Sequence, residues 1–340
     1  MNLKTKIIPY TLIFKQQAHT SRGVYHERKV WYIKIFEEKN PDRFGIGECA
    51  PLPDLSCDYC AEYEEILSYY CYEFEKTRTV DFEKQRNTPS ILFGLETAIL
   101  HYESKSYKFF DTPFSRSEKA ININGLIWMG DADFMKEQID NKINNGFTCI
   151  KLKIGGINFD EELKLLQYIR SQYSENEIII RLDANGAFSP VEALEKLKRL
   201  SDFQIHSIEQ PIKAGQWDIL SELCANTPIP IALDEELIGI NSFPDKKKLI
   251  ENIHPQYIVI KPSLHGGIWG SKEWIKIAEE HNVGWWITSA LESNIGLNSI
   301  AQWCAKFDNP LHQGLGTGDL YENNFPLPLV VNEGQLRYRD

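Results

Sequence analysis

Between residues 118 and 319, one short apolar run after another is closed by a polar side chain at nearly constant spacing. Lys153 is followed by Asp183, Glu209, Asp234 and Lys261 at intervals of 30, 26, 25 and 27 residues. One strand, its covering helix and two short loops use about that much chain. The runs TCIKLKIG, EIIIRLDANG, QIHSIEQP, PIPIALDEE and QYIVIKP are short and strongly apolar, and helical patterns separate the first three of them. In EIIIRLDANG the apolar residues are continuous rather than alternating, as in a parallel strand covered on both faces. ININGLIW precedes the series, and VGWWITSALES and HQGLGTG follow it, which makes eight candidate strands. Right-handed parallel crossovers in that number and length close into a barrel rather than an open sheet.

Barrels of this kind carry their chemistry at the C-terminal ends of the strands. Asn124 stands 29 residues before Lys153, while Ser289 and Thr317 continue the series at intervals of 28. Before residue 118 the rhythm differs. Val30–Phe36 reads as a strand, and helical periodicity covers about 59–76 and 89–104, which together predict a compact α+β domain. Gly45-Ile46-Gly47-Glu48 and Pro51-Leu52-Pro53 read as a loop between its halves.

Composition narrows the partners. A net charge of −11 argues against a nucleic-acid surface, and no apolar run reaches the length of a membrane span. The first residues lack a cleavable-signal pattern. Seven scattered cysteines, with only Cys57 and Cys60 at a redox or zinc spacing, read as ordinary thiols of a reducing cytoplasm. Small anionic substrates remain open, since net charge does not describe a local pocket.

Asp183, Glu209 and Asp234 stand on three successive units and would face one small volume. Like charges that close either share protons or bind a cation. An all-oxygen donor set without Cys or His suits a hard ion, Mg²⁺ or Mn²⁺. Lys151 and Lys153 are two apart on one strand and share a face, leaving Ile150, Leu152 and Ile154 to meet the helices. Lys261 ends the run Tyr257-Ile258-Val259-Ile260, across the carboxylates from that pair. A neighbouring ammonium, a cation and partial desolvation lower a lysine toward ~7–8, where it works as a general base. Such a base suits removal of a proton from carbon next to a carboxylate, with the cation stabilising the enediolate.

These residues resemble the enolase superfamily. Lys151-Leu152-Lys153 looks like its second-strand K-x-K, and Leu182-Asp183-Ala184-Asn185, Ile208-Glu209-Gln210-Pro211 and Ala232-Leu233-Asp234-Glu235 look like its metal-ligand segments. Ile260-Lys261-Pro262 looks like its sixth-strand lysine. The resemblance is to the muconate-lactonizing subgroup and spans nearly the whole chain. It implies an α/β fold, a (β/α)7β TIM-like barrel over residues 118–319 with an N-terminal α+β capping domain over 1–117, to which residues 320–340 return. Two capping loops would fall near Thr20-Ser21-Arg22-Gly23 and from Cys49 to Ser56. Ser289-Ala290-Leu291-Glu292-Ser293 and Gly314-Leu315-Gly316-Thr317-Gly318 look most like o-succinylbenzoate synthases.

On that resemblance Lys153 takes the α-proton and then helps the hydroxyl leave as water. Lys261 stabilises the enediolate, and Lys151 depresses the pKa of Lys153. Asp183, Glu209 and Asp234 hold Mg²⁺, while Asn185, Ser289, Thr317 and Arg22 face the substrate. N-acylamino acid racemases, dipeptide epimerases and muconate cycloisomerases are the alternatives. The epimerases' Asp-x-Asp on the last strand is absent from Gly316-Thr317-Gly318-Asp319.

Overall fold

A two-residue period organises the first layer. In the computed structural model, which describes residues 2–20 and 23–339, β1 (Leu3–Thr20), β2 (Gly23–Glu37) and β3 (Asn40–Cys49) pair antiparallel in chain order. Three helices follow: α1 (Tyr63–Thr77), the single turn α2 (Phe82–Gln85) and α3 (Pro89–Ser104). Trp31, Ile33 and Ile35 of β2 are buried with Leu67 and Phe74 of α1 and Ile91, Leu95 and Ala98 of α3. Val30 and Tyr32 point the other way, into a cluster with Leu12, Phe14, Ile295 and Tyr321. Both faces of the sheet are therefore covered, the second by the C-terminal half of the chain.

Residues Gly45–Glu48 lie within β3 rather than in the expected loop. Their glycines mark close packing, not a turn. A Cβ at Gly45 would lie 2.1 Å from the Ala98 carbonyl oxygen, and one at Gly47 would lie 2.0 Å from that of Gly94. Backbone of α3 thus rests directly on β3, which no larger residue permits.

From residue 121 onward, strands and helices alternate. They are β4 (Ile121–Asn122), β5 (Gly125–Ile127), α4 (Ala132–Asn144), β6 (Cys149–Lys153), α5 (Phe159–Arg170), β7 (Ile179–Asp183) and α6 (Pro190–Ser201). Then come β8 (Ser207–Glu209), α7 (Trp217–Asn226), β9 (Ile231–Leu233), α8 (Phe243–Ile253), β10 (Tyr257–Ile260), α9 (Gly267–Glu280), β11 (Gly284–Ile287) and α10 (Asn294–Cys304). Strands β5 to β11 form one parallel sheet in sequence order. The helices are written into the sequence by ordinary signals. In α5 the Asn158 side chain caps the Asp160 N–H, three acids fill the first turn, Arg170 lies in the last, and Leu165, Leu166 and Ile169 are buried.

The eighth expected strand is reduced. Around Gln313 and Gly314 the chain joins both sheet edges through isolated bridges, Ile123 to Gln313 and Thr288 to Gly314, which closes the ring. A Cβ at Gly314 would lie 1.9 Å from Thr288 Oγ1, so this segment packs too closely for an ordinary side chain. Inside the ring, Arg181 is buried with its guanidinium 4.0 Å from the Trp286 ring centroid, while Trp285 faces outward onto Phe307.

Beyond the ring the chain divides its contacts. Residues 320–323 return to β1, with Lys15 N–H donating to the Leu320 carbonyl and Glu322 N–H to that of Ile13, both at 2.9 Å. The hairpin β12 (Leu329–Asn332) and β13 (Gln335–Tyr338) instead pairs with β4. Among the described residues no helix is long and apolar enough to cross a membrane.

Candidate active site

Register places the polar strand ends side by side. Lys153 of β6 pairs with Asp183 of β7, which pairs with Glu209 of β8. Glu209 in turn lies opposite Ala232 of β9, two residues before Asp234. Ile150, Leu152 and Ile154 are buried in the shell between strands and helices, so Lys151 and Lys153 project into the barrel.

A tight charge cluster results. Lys151 Nζ lies 2.6 Å from Glu209 Oε2 and 2.7 Å from Asp183 Oδ2. Lys153 Nζ lies 2.6 Å from the same Asp183 oxygen and donates to Asn185 Oδ1 at 2.7 Å. On the far side Lys261 Nζ is paired with Asp234. Burial disfavours charge on Lys151, but the Asp183, Glu209 and Asp234 carboxylates outweigh it and hold the amine above the ordinary lysine range. Lys261 is raised likewise, burial being overcome chiefly by Asp234. Lys151 and Lys261 are thus held as ammonium groups by the carboxylates they touch. In sequence the ammonium groups could be seen to neighbour one another, but not that each would reach a carboxylate directly.

The carboxylates are unequal. Burial opposes ionisation of Asp183 and Asp234, but the adjoining ammonium groups prevail and hold both below the usual carboxylate range. Glu209 is pushed up to about 8 by burial and by the negative charge of Asp183. Two buried oxygens, Glu209 Oε1 and Asp234 Oδ1, have no hydrogen-bond partner. As they stand, no three His, Cys, Asp or Glu side chains among the described residues are grouped as a metal cage, since lysine amines occupy the inward oxygens. The orphaned oxygens on neighbouring strand ends nevertheless fit a hard cation, which satisfies buried, unpaired carboxylate lone pairs without hydrogen bonds.

A cavity of about 160 Å³ lies above this cluster, and Asn185, Ser289 and Thr317 line it. Asn185 bridges Lys153 to Glu235, donating to Glu235 Oε1 at 2.9 Å, and adopts a left-handed φ of 45°. Asn tolerates that conformation better than most residues, so the strand end turns sharply with its amide facing inward. The Ser289 hydroxyl donates to buried Glu292 at 2.6 Å, whereas Thr317 Oγ1 is buried without a partner. Leu52 and Leu55 bring the 49–56 loop over the cavity. Arg22 lies outside the described residues.

Three further contributors escaped the sequence reading. Glu235 is adjacent in sequence to Asp234, which is a usable signal. The Gln210 side chain accepts from the N–H groups of Asp234 and Glu236 and fixes the turn after β9, a role no local pattern reveals. Lys142 of α4 also lines the cavity, although it sits in an ordinary polar helical stretch.

The Enolase C-terminal domain-like family matches residues 134–340, and the chain belongs to the enolase superfamily. Members of that superfamily work with a divalent cation. The chain is 43% identical to the o-succinylbenzoate synthase of Desulfotalea psychrophila, over 96% of each chain. The crystal structure of MenC from Desulfotalea psychrophila superposes with a TM-score of 0.84 at 39% identity, covering 99% of this chain and 100% of that one. An N-succinyl-L-Arg/Lys racemase of Bacillus cereus is 26% identical over 66% of this chain and 57% of its own length.

Proposed function

We propose that the chain catalyses the Mg²⁺-dependent dehydration of 2-succinyl-6-hydroxy-2,4-cyclohexadiene-1-carboxylate to o-succinylbenzoate, a carbon–oxygen lyase step of menaquinone biosynthesis. The observation that carries this reading is the 43% identity with an o-succinylbenzoate synthase along 96% of both chains. Residues 1–117 act in this reading as a cap on a barrel of residues 118–319, in which Asp183, Glu209 and Asp234 would hold Mg²⁺, Mn²⁺ being a substitute. When bound, the ion offsets the negative charge that builds on the substrate carboxylate as the α-proton leaves.

The chain's own groups divide the remaining work. Lys153, at the β6 side of the carboxylates, takes the proton from the ring carbon. The resulting ammonium then donates a proton to the departing hydroxyl, which leaves as water, so one amine serves both half-steps. Asn185, at 2.7 Å from Nζ, aims that amine. Lys261 stands across the cluster and holds charge against the anionic intermediate. Lys151, bonded to both Asp183 and Glu209, keeps two like charges together. Thr317 Oγ1 offers the substrate a free hydrogen-bonding group. The ring becomes aromatic, so the reaction is downhill and the protein need only lower the proton-transfer barrier.

The test is turnover of the dehydration substrate beside N-succinylamino acids, with Mg²⁺ present and after chelation. Dehydration that chelator abolishes and Mg²⁺ restores supports the reading. Turnover of the N-succinylamino acids alone overturns it in favour of racemisation.

A further inference from the structure

The active-site cavity extends past the charge cluster to the flank of β5, where Gly125, Phe147 and Lys142 line it. Lys142 is the exception among the lining lysines. Lys151, Lys153 and Lys261 each sit against a carboxylate, whereas among the described residues Lys142 has no carboxylate in ion-pair contact. Asp319, the acid that acts on it through space, is itself paired with Lys15. Burial pulls the Lys142 amine below the ordinary lysine range, with Asp319 opposing. A cation partly withdrawn from water, with its nearest acid engaged elsewhere, favours an anion beside it.

Lys142 packs closely where it lines the cavity. The aliphatic stem lies along Gly125, where a Cβ would come within 3.0 Å of Lys142 Cδ and 3.1 Å of Phe147 Cδ1. Any side chain at 125 would push the lysine or the ring aside. Beyond the stem, Nζ stands 5.1 Å from the centre of the Phe147 ring. The glycine makes the groove, the stem fills it, and the phenyl ring flanks the charge.

We propose that Lys142 binds the second carboxylate of the substrate, the one at the end of the succinyl chain, and so selects dicarboxylates over monocarboxylates. The inference rests on the lyase reading above, in which the ring carboxylate is taken at the strand ends. One cavity joins the two places, so a ligand with a second carboxylate on a flexible chain meets both.

The experiment compares wild type with Lys142→Met, Lys142→Arg and Gly125→Ala, using the dehydration substrate for kinetics and o-succinylbenzoate and its succinyl-end monomethyl ester for calorimetric binding with Mg²⁺. Loss of a charge-assisted contact raises KM in Lys142→Met about 10- to 100-fold and leaves kcat nearly unchanged. Lys142→Arg recovers much of that loss. Gly125→Ala, with the charge retained but the stem displaced, raises KM in the same direction. Wild type binds the monoester about 10- to 100-fold more weakly than the diacid, and Lys142→Met abolishes the difference. An active wild type whose KM is unaffected by Lys142→Met overturns the inference alone. So does equal binding of diacid and monoester by wild type, a result that needs no folded variant. A wild type that dehydrates nothing overturns the lyase reading and the inference with it.

Discussion

Replacing Glu48 with alanine probes what fastens the N-terminal sheet to the barrel. The carboxylate, on β3, accepts from the N–H of Ser293 at 2.9 Å and of Gly296 at 2.8 Å, and from the Ser293 hydroxyl. These groups form the first turn of α10, so one acid caps a helix 245 residues away in sequence. The hydroxyl can turn elsewhere, but two buried N–H groups lose their acceptor at about 1–3 kcal/mol each. Burial meanwhile pushes the Glu48 carboxyl from 4.5 up to about 7, with the Ser293 hydrogen bonds pulling the other way. That difference is worth on the order of 3 kcal/mol between the two protonation states. Because the folded value lies above the unfolded one, the contribution is fully present below pH ~4.5 and is lost as pH rises through ~7. Glu48→Ala is therefore expected to cost about 3–5 kcal/mol at pH 5 and clearly less at pH 8. Urea unfolding of both proteins at the two pH values measures this, since the pH response of groups not coupled to Glu48 cancels in the difference. An equal or larger loss at pH 8 would refute the reasoning.

Two further substitutions follow from the packing and the site. Gly47→Ala places a methyl group 2.0 Å from the Gly94 carbonyl oxygen and should destabilise the protein by about 3 kcal/mol or more, read as a lowered melting temperature. Asn185→Ala removes the bridge between Lys153 and Glu235. It should lower kcat about 10- to 100-fold with an unchanged circular dichroism spectrum, and full activity would deny Asn185 its aiming role.

The barrel was legible because each unit repeats one local pattern. An apolar run with a polar end cannot be satisfied by a surface strand, and five such ends at even spacing leave few topologies. Lys153, Asp183, Glu209, Asp234 and Lys261 meet because register between neighbouring parallel strands follows from that repeat. Glu48 was not legible. Its segment reads as a turn until α3 is known to press on it, and the groups it caps come from the far end of the chain. Lys142 was hidden for a related reason. On a helix rich in Asp, Asn, Gln and Lys, a lysine looks solvated until the glycine on a neighbouring strand is seen to make room for its stem beside the cavity. Charge states were the hardest to foresee, since a shift of an ångström decides whether a lysine faces another amine or a carboxylate.

The most direct test of the account is Lys153→Ala, assayed for dehydration and for o-succinylbenzoate binding on the same preparation. On the proposed mechanism, loss of this amine lowers kcat by about 10²- to 10⁴-fold, with product affinity nearly retained. Turnover close to wild type in that variant would contradict the assignment of proton abstraction to the amine at the end of β6.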